Sequence, residues 1–168
     1  MTDTTAIQRE KANYIRLLDL IPHPEGGYYR ETYRSTEIID TIRGNRSTGT
    51  VIYFMLESGN FSSFHRLGSD ETWYFHAGQP TLLYLLSKEK GVSRFRVGAD
   101  IENGGVFQVT IPAGTWFAAE VEAGGVYTLI SCSVSPGFEF SDFEMADLKE
   151  LMKAFPEQEE LVRRLCRN

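Results

Sequence analysis

Residues 59–78 read GNFSSFHRLGSDETWYFHAG. Two histidines and two adjacent carboxylates, His65, His76, Asp70 and Glu71, sit here among Phe61, Phe64, Trp73, Tyr74 and Phe75. The stretch divides at Gly68-Ser69-Asp70, a turn composition, into SSFHRL and ETWYFHAG, each rich in β-formers. Side chains alternate across a strand, so Glu71, Trp73 and Phe75 share one face and Tyr74 and His76 the other. With the aromatic face turned to a core, Glu71 lies inside and His76 outside. His65 and Glu71, on antiparallel neighbours joined by this short turn, are expected within hydrogen-bonding reach. Burying an unpaired polar group costs roughly 1–3 kcal/mol, so the two should pair with each other or meet a ligand.

The same strand chemistry extends outward. YYRETYRS, TVIYFML, PTLLYLLS, SRFRVG, VFQVTI, TWFAAEVE and VYTLISCSV are short and rich in β-branched or aromatic residues. Turn residues separate them, as in Glu57-Ser58-Gly59-Asn60, Glu102-Asn103-Gly104-Gly105 and Ala123-Gly124-Gly125. Nine such segments predict an all-β sandwich or barrel. Helical periodicity appears only at the ends. Residues 5–20 place Ile7, Tyr14, Leu17, Leu18 and Ile21 on one side behind a cap at Asp3 or Thr4. SDFEMADLKELMKAF offers Ser141 or Asp142 as a cap before Leu148, Leu151 and Met152, and Pro156 suits the first turn of a last helix carrying Leu161, Val162 and Leu165. The expected organisation is one domain over residues 1–168: a helix in 1–21, the sheets in 22–135, and a helical segment in 136–168.

At 168 residues the chain buries enough surface, roughly 70% of what its unfolded form exposes, to fold without disulfides or a structural metal. The net charge of −6 and the lack of a basic stretch argue against nucleic acid and anionic membranes as partners. Cys132 and Cys166 have no metal-binding spacing and read as one buried and one surface thiol. No signal-peptide core or membrane-span run occurs, so a cytoplasmic location is expected.

The pattern Gly59, His65, Leu67, Glu71, Gly78 resembles the first signature of the cupin superfamily, with Leu67 where a second histidine is usual. Gly105 through Pro112-Ala113-Gly114-Thr115-Trp116-Phe117 resembles the second, with one extra residue after Gly105 and Phe117 in place of a histidine. HPEGGYYRE, SSFHRLGSDETWYFHAG, IPAGTW and SVSPGFEFSDFE are similar to the DUF985, or Cupin_5, subfamily, from about His23 to Glu144. This resemblance implies a cupin-type double-stranded β-helix, or jelly roll, flanked by N-terminal and C-terminal α-helices, and a homodimer. Members are described as predicted sugar epimerases. Metal-dependent cupins use three imidazoles and one carboxylate. Here only His65 and Glu71 occupy those positions, so no metal and no other cofactor is expected.

In epimerases of this kind a His–carboxylate pair removes a proton beside a ketone and a tyrosine returns one. By resemblance His65 is the base and Glu71, or Asp70, its partner. Tyr53, Tyr84 and Tyr127 are the candidate acids, with Tyr84 the working assignment. Arg30, Arg66 and Arg96 are the arginines available to a developing enolate, with Arg66 turned outward. Tyr53, Trp73, Phe75, Trp116 and Phe117 are candidate ring-stacking residues, though an aromatic on a sandwich is more often core than ligand platform. Glu25, in Glu25-Gly26-Gly27, is a candidate rim contact or a solvated carboxylate, and His23 a loop residue. The expected ligand is a keto-sugar nucleotide undergoing metal-independent epimerisation. Two alternatives stay open: a non-catalytic module for a purine-like or sugar ligand, and a metal-dependent cupin with an incomplete ligand set.

Overall fold

The computed structural model describes residues 4–167. In chain order the elements are α1 (Thr4–Leu17), β1 (Ile21–Pro22), β2 (Tyr28–Arg34), β3 (Ile38–Thr41), β4 (Gly44–Ser47), β5 (Thr50–Glu57), β6 (Phe61–Leu67) and β7 (Asp70–Gly78). There follow β8 (Thr81–Ser87), β9 (Gly91–Val97), β10 (Gly105–Val106), β11 (Gln108–Ile111), β12 (Trp116–Val121), β13 (Tyr127–Ser135), β14 (Phe143–Met145), α2 (Leu148–Ala154) and α3 (Glu159–Leu165). Two six-stranded sheets face each other, ordered β1-β2-β5-β13-β7-β11 and β10-β9-β8-β12-β6-β14. Pairing is antiparallel except between β9 and β10. The β3–β4 hairpin stands apart as a two-stranded ribbon.

The core between the sheets follows from strand alternation. On β7, Glu71 and Trp73 are buried while Asp70, Tyr74 and His76 are exposed, as the period of two requires. Trp73, Phe54, Phe117, Leu83, Ile111 and Ile130 fill the space at 1% exposure or less. A second cluster, including Phe64, Leu86, Leu151, Leu161, Val162 and Leu165, lies where α2 and α3 cover the outer side of β6, β8 and β12. A third joins Met55, Tyr127 and Leu129 to Ile7, Tyr14, Ile15 and Leu18 of the N-terminal segment.

Several expectations need correction. Leu17 and Ile21 are exposed, and Ile15 takes their place against the sheet. Asp3 lies outside the described residues. The cap of α2 is Asp147, which accepts from the backbone N–H of Lys149 and Glu150. Asp142 is instead gripped by Arg46 at 2.8 Å through both carboxylate oxygens. Residues 143–145 therefore continue the sheet beside β6, and the jelly roll extends past residue 135. Cys166 is buried, its thiol donating to the Ala146 carbonyl at 3.3 Å. Among the described residues no helix is long and apolar enough to cross a membrane.

Candidate functional site

The short turn after Leu67 carries the chain from one sheet to the other. β6 pairs with β12 and β14, whereas β7 pairs with β13 and β11. His65 and Glu71 thus project from facing sheets, and no ladder sets them side by side. This corrects the expected His65–Glu71 pair. Asp70 is exposed and accepts from the Ala113 N–H at 2.8 Å.

The partner of His65 is Glu25. His65 Nε2 lies 3.0 Å from Glu25 Oε2, and Ser62 Oγ donates to Glu25 Oε1 at 2.8 Å. Glu25 is neither a rim contact nor solvated; it is 6% exposed. The loop 23–27 turns inward to deliver it. The His23 N–H donates to the Gly27 carbonyl and the Gly26 N–H to the His23 carbonyl, both at 3.0 Å. The Glu25 carbonyl accepts from Ser63 N–H at 2.8 Å and Arg167 Nε at 3.3 Å. Gly26 and Gly27 have φ of 113° and 76°. A Cβ at Gly26 would stand 2.1 Å from the Phe61 carbonyl oxygen, and one at Gly27 2.4 Å from that of Met55. Only glycine meets both demands. His23 is likewise no free loop residue: its ring packs edge-on against Tyr29 at 4.6 Å, and its Nδ1 accepts from the Glu25 N–H at 3.3 Å.

These contacts fix the proton count. The Ser63 carbonyl sits 2.7 Å from His65 Nδ1 and can only accept, so Nδ1 carries a proton. The contact from Nε2 to Glu25 then needs one further proton, held either as Glu25 carboxylic acid or as His65 imidazolium. Burial opposes charge on both: it lowers the His65 pKa to about 4 and raises that of Glu25. The neutral form, with Glu25 donating to Nε2, is favoured. Burial also raises Glu71, to about 8, and ionisation of Glu25 would push it further the same way. Glu71 is therefore a neutral acid at neutral pH. The Trp73 indole and the Cys132 thiol are its polar neighbours and limit the rise, and its Oε2 is buried without a well-formed hydrogen bond. Burial lowers the His23 pKa.

All four groups line one cavity of about 140 Å³. Its walls include Ile52, Phe54, Leu67, Val134, Phe138 and Phe143, with Tyr29 and Cys132 also present. Burial raises the Cys132 pKa and keeps it a thiol. Glu31, Arg34, Glu139 and Phe140 belong to the same lining and are between 37% and 55% exposed, forming its mouth.

Of the residues expected from sequence, His65, Glu71 and Glu25 meet here. The aromatics expected to stack a ligand do not line it. Trp73 and Phe75 belong to the core, and Phe117 packs on the back of His65 at 4.0 Å. Trp116 lies under Arg66 outside the barrel, and Tyr53 abuts His76 on the outer face. Tyr84 donates to Glu120 at 2.8 Å beneath the C-terminal helices, and Tyr127 lies against Tyr14 of α1. Tyr29 is the tyrosine in the lining. Arg30, Arg66 and Arg96 pair with Asp19, Glu144 and Glu122 outside the cavity. Sequence reasoning missed His23, Tyr29 and Arg34. The paired glycines were the one signal that backbone comes close here.

The residues do not fit a first-row metal ion. Leu67 and Phe117 offer hydrocarbon, both His65 nitrogens are committed, and among the described residues no group of three or more His, Cys, Asp or Glu is placed so that it could hold an ion.

Two facing sheets around an inward-directed histidine and carboxylates define a jelly-roll protein of the cupin type. The chain belongs to the Cupin_5 family of the cupin superfamily (DUF985), whose model matches residues 12–146. It is similar to a hypothetical protein of Leishmania major, with 38% identity, a TM-score of 0.88, and coverage of 94% of this chain and 98% of that one. It is 31% identical over 147 residues to the uncharacterised protein YML079W of Saccharomyces cerevisiae, covering 73% of this chain and 68% of that protein. A cupin-2 domain from Rhodospirillum rubrum shares the fold at 16% identity, with a TM-score of 0.55 over 80% of this chain and 79% of that one.

Proposed function

We propose that the protein binds a compact carbonyl compound inside the barrel and catalyses its isomerisation by proton transfer, without a metal. The observation that carries this reading is the buried, unpartnered Glu71 oxygen in the same cavity as the Glu25–His65 pair. A neutral carboxylic acid in an apolar site donates a hydrogen bond to a carbonyl oxygen and stabilises charge developing there. Moving the shared proton from Glu25 to His65 Nε2 leaves a carboxylate. That carboxylate takes the proton from the carbon next to the carbonyl. The C–H electron pair becomes the carbon–carbon double bond of an enol stage whose oxygen Glu71 holds. The carbonyl π pair moves onto that oxygen and returns to the C=O when a proton is given back. From Glu25 this is exchange without isomerisation; from Tyr29 on the opposite face it inverts the carbon. The Glu25 proton then passes to the Tyr29 phenolate and the His65 proton back to Glu25. The cavity volume suits one ring, since engineered cavities of about 150 Å³ take up benzene. A keto sugar fits this description by its ring alone.

A binding module without chemistry is the second reading, favoured by the full hydrogen-bond complement of His65. Exchange in heavy water separates the two. Incubating the protein with cyclic ketones and small keto sugars is expected to introduce deuterium next to the carbonyl of those that bind, and Glu25→Gln to abolish that exchange while binding persists. Ligands that bind without exchanging in the wild-type protein reject the isomerase and leave the binding module.

A further inference from the structure

The mouth of the cavity carries a charge pattern that bears on what can enter. Arg34 is its arginine, and each of its nitrogens is already used. Nε and Nη2 donate to the two oxygens of Glu31 at 3.0 and 2.8 Å, Nη1 donates to Glu139 at 2.8 Å, and Nη2 also reaches the Phe138 carbonyl at 3.1 Å. Two carboxylates face one guanidinium, so the mouth is net negative. A phosphate or carboxylate on a ligand would meet at most one uncommitted N–H of Arg34, the second on Nη1, and would approach two carboxylates in a chain of net charge −6. The floor offers no cation in exchange, because His65 and His23 are buried as neutral rings. The walls are aromatic and aliphatic, and the polar floor consists of uncharged donors and acceptors.

We infer that the site selects an uncharged ring and rejects anionic ligands, through the engagement of Arg34 by Glu31, Glu139 and the Phe138 carbonyl. This rests on the reading of the cavity as a ligand site and narrows its substrate class. A keto-sugar nucleotide, expected from the family resemblance, carries a diphosphate that the mouth repels. The free keto sugar or another neutral cyclic ketone does not. Glu31 and Glu139 are thus specificity-determining residues: they hold Arg34 out of reach of anions and supply the repulsion themselves.

The test uses a matched pair of probes, cyclohexanone and cyclohexanone bearing a ring carboxylate, with binding read from the ring-nitrogen NMR signals of His65 and His23. The wild-type protein is expected to bind the neutral ketone at least about tenfold more tightly than the carboxylate. The double variant Glu31→Gln/Glu139→Gln, which frees Arg34 and removes both repelling charges, is expected to close or reverse that ratio. Equal or tighter binding of the carboxylate by the wild-type protein overturns the inference while leaving the cavity a ligand site. So does a ratio that the double variant leaves unchanged. Failure of both probes to perturb either histidine overturns the ligand-site reading, and this inference with it.

Discussion

Glu71→Gln is expected to cut, by roughly 2 kcal/mol, the loss of stability that the wild-type protein suffers between about pH 6.5 and pH 8. The Glu71 pKa is about 8 in the folded protein against an ordinary value of 4.5. Between those values the folded state holds a proton that the unfolded state has released. Stability then falls as pH rises, by about 1.4 kcal/mol per unit where the difference is a whole proton. Buried His65 has the opposite sign. Its pKa drops from 6.5 to about 4, so stability rises with pH across that interval and offsets Glu71 there. Above pH 6.5 the histidine contribution is nearly complete, and Glu71 contributes a loss of roughly 2 kcal/mol by pH 8, several degrees in Tm. Glu25, also raised by burial, adds to it with the same sign. Glutamine keeps the shape and a donor but cannot ionise, so the variant should lose roughly 2 kcal/mol less than the wild-type protein over this window, keeping only the slope that Glu25 contributes. A wild-type protein as stable at pH 8 as at pH 6.5 would show that Glu71 is not a buried neutral acid.

The second large effect concerns Glu25. Glu25→Ala leaves His65 Nε2 and Ser62 Oγ without partners, at 2% and 0% exposure of their residues. Each buried polar atom stranded in this way costs about 1–3 kcal/mol, so a total loss of roughly 2–5 kcal/mol is expected. Glu25→Gln behaves differently. Its amide N–H₂ can donate to Nε2 and its oxygen can accept from Ser62, so stability should hold within about 1 kcal/mol. The proton store is nevertheless gone, and proton transfer with it. Denaturant unfolding of the two variants checks the split. Equal, small losses for both would mean that the pair is not a closed buried network.

The framework was legible in the sequence because strand alternation is local. Glu71 and Trp73 inward with Tyr74 and His76 outward follows from the period of β7 alone, and the turn residues marked the breaks between strands. The β3–β4 hairpin escaped notice because GNRS lacks β-branched residues, and β14 because FEM sits beside a helix whose cap is five residues beyond Asp142. The site was legible only in part. His65 and Glu71 stand on consecutive strands, and proximity in sequence suggested pairing, but sheet order separates them. Glu25 approaches His65 across 40 positions of chain, brought there by two glycines pressed against β5 and β6. Periodicity holds no information about such a loop. The cavity aromatics Phe138, Phe140 and Phe143 come from the segment after β13, which was expected to be helical and not to line a site.

The account turns on an uncharged, proton-holding floor beneath a cavity made for an organic guest. Carboxyl-carbon NMR of glutamate-labelled protein, titrated from acid to mildly alkaline pH, tests it most directly. It should show one glutamate, absent from the spectrum of Glu71→Gln, still protonated at neutral pH and ionising near pH 8. A Glu71 signal that is already that of a carboxylate at neutral pH, titrating with the surface glutamates, would contradict it.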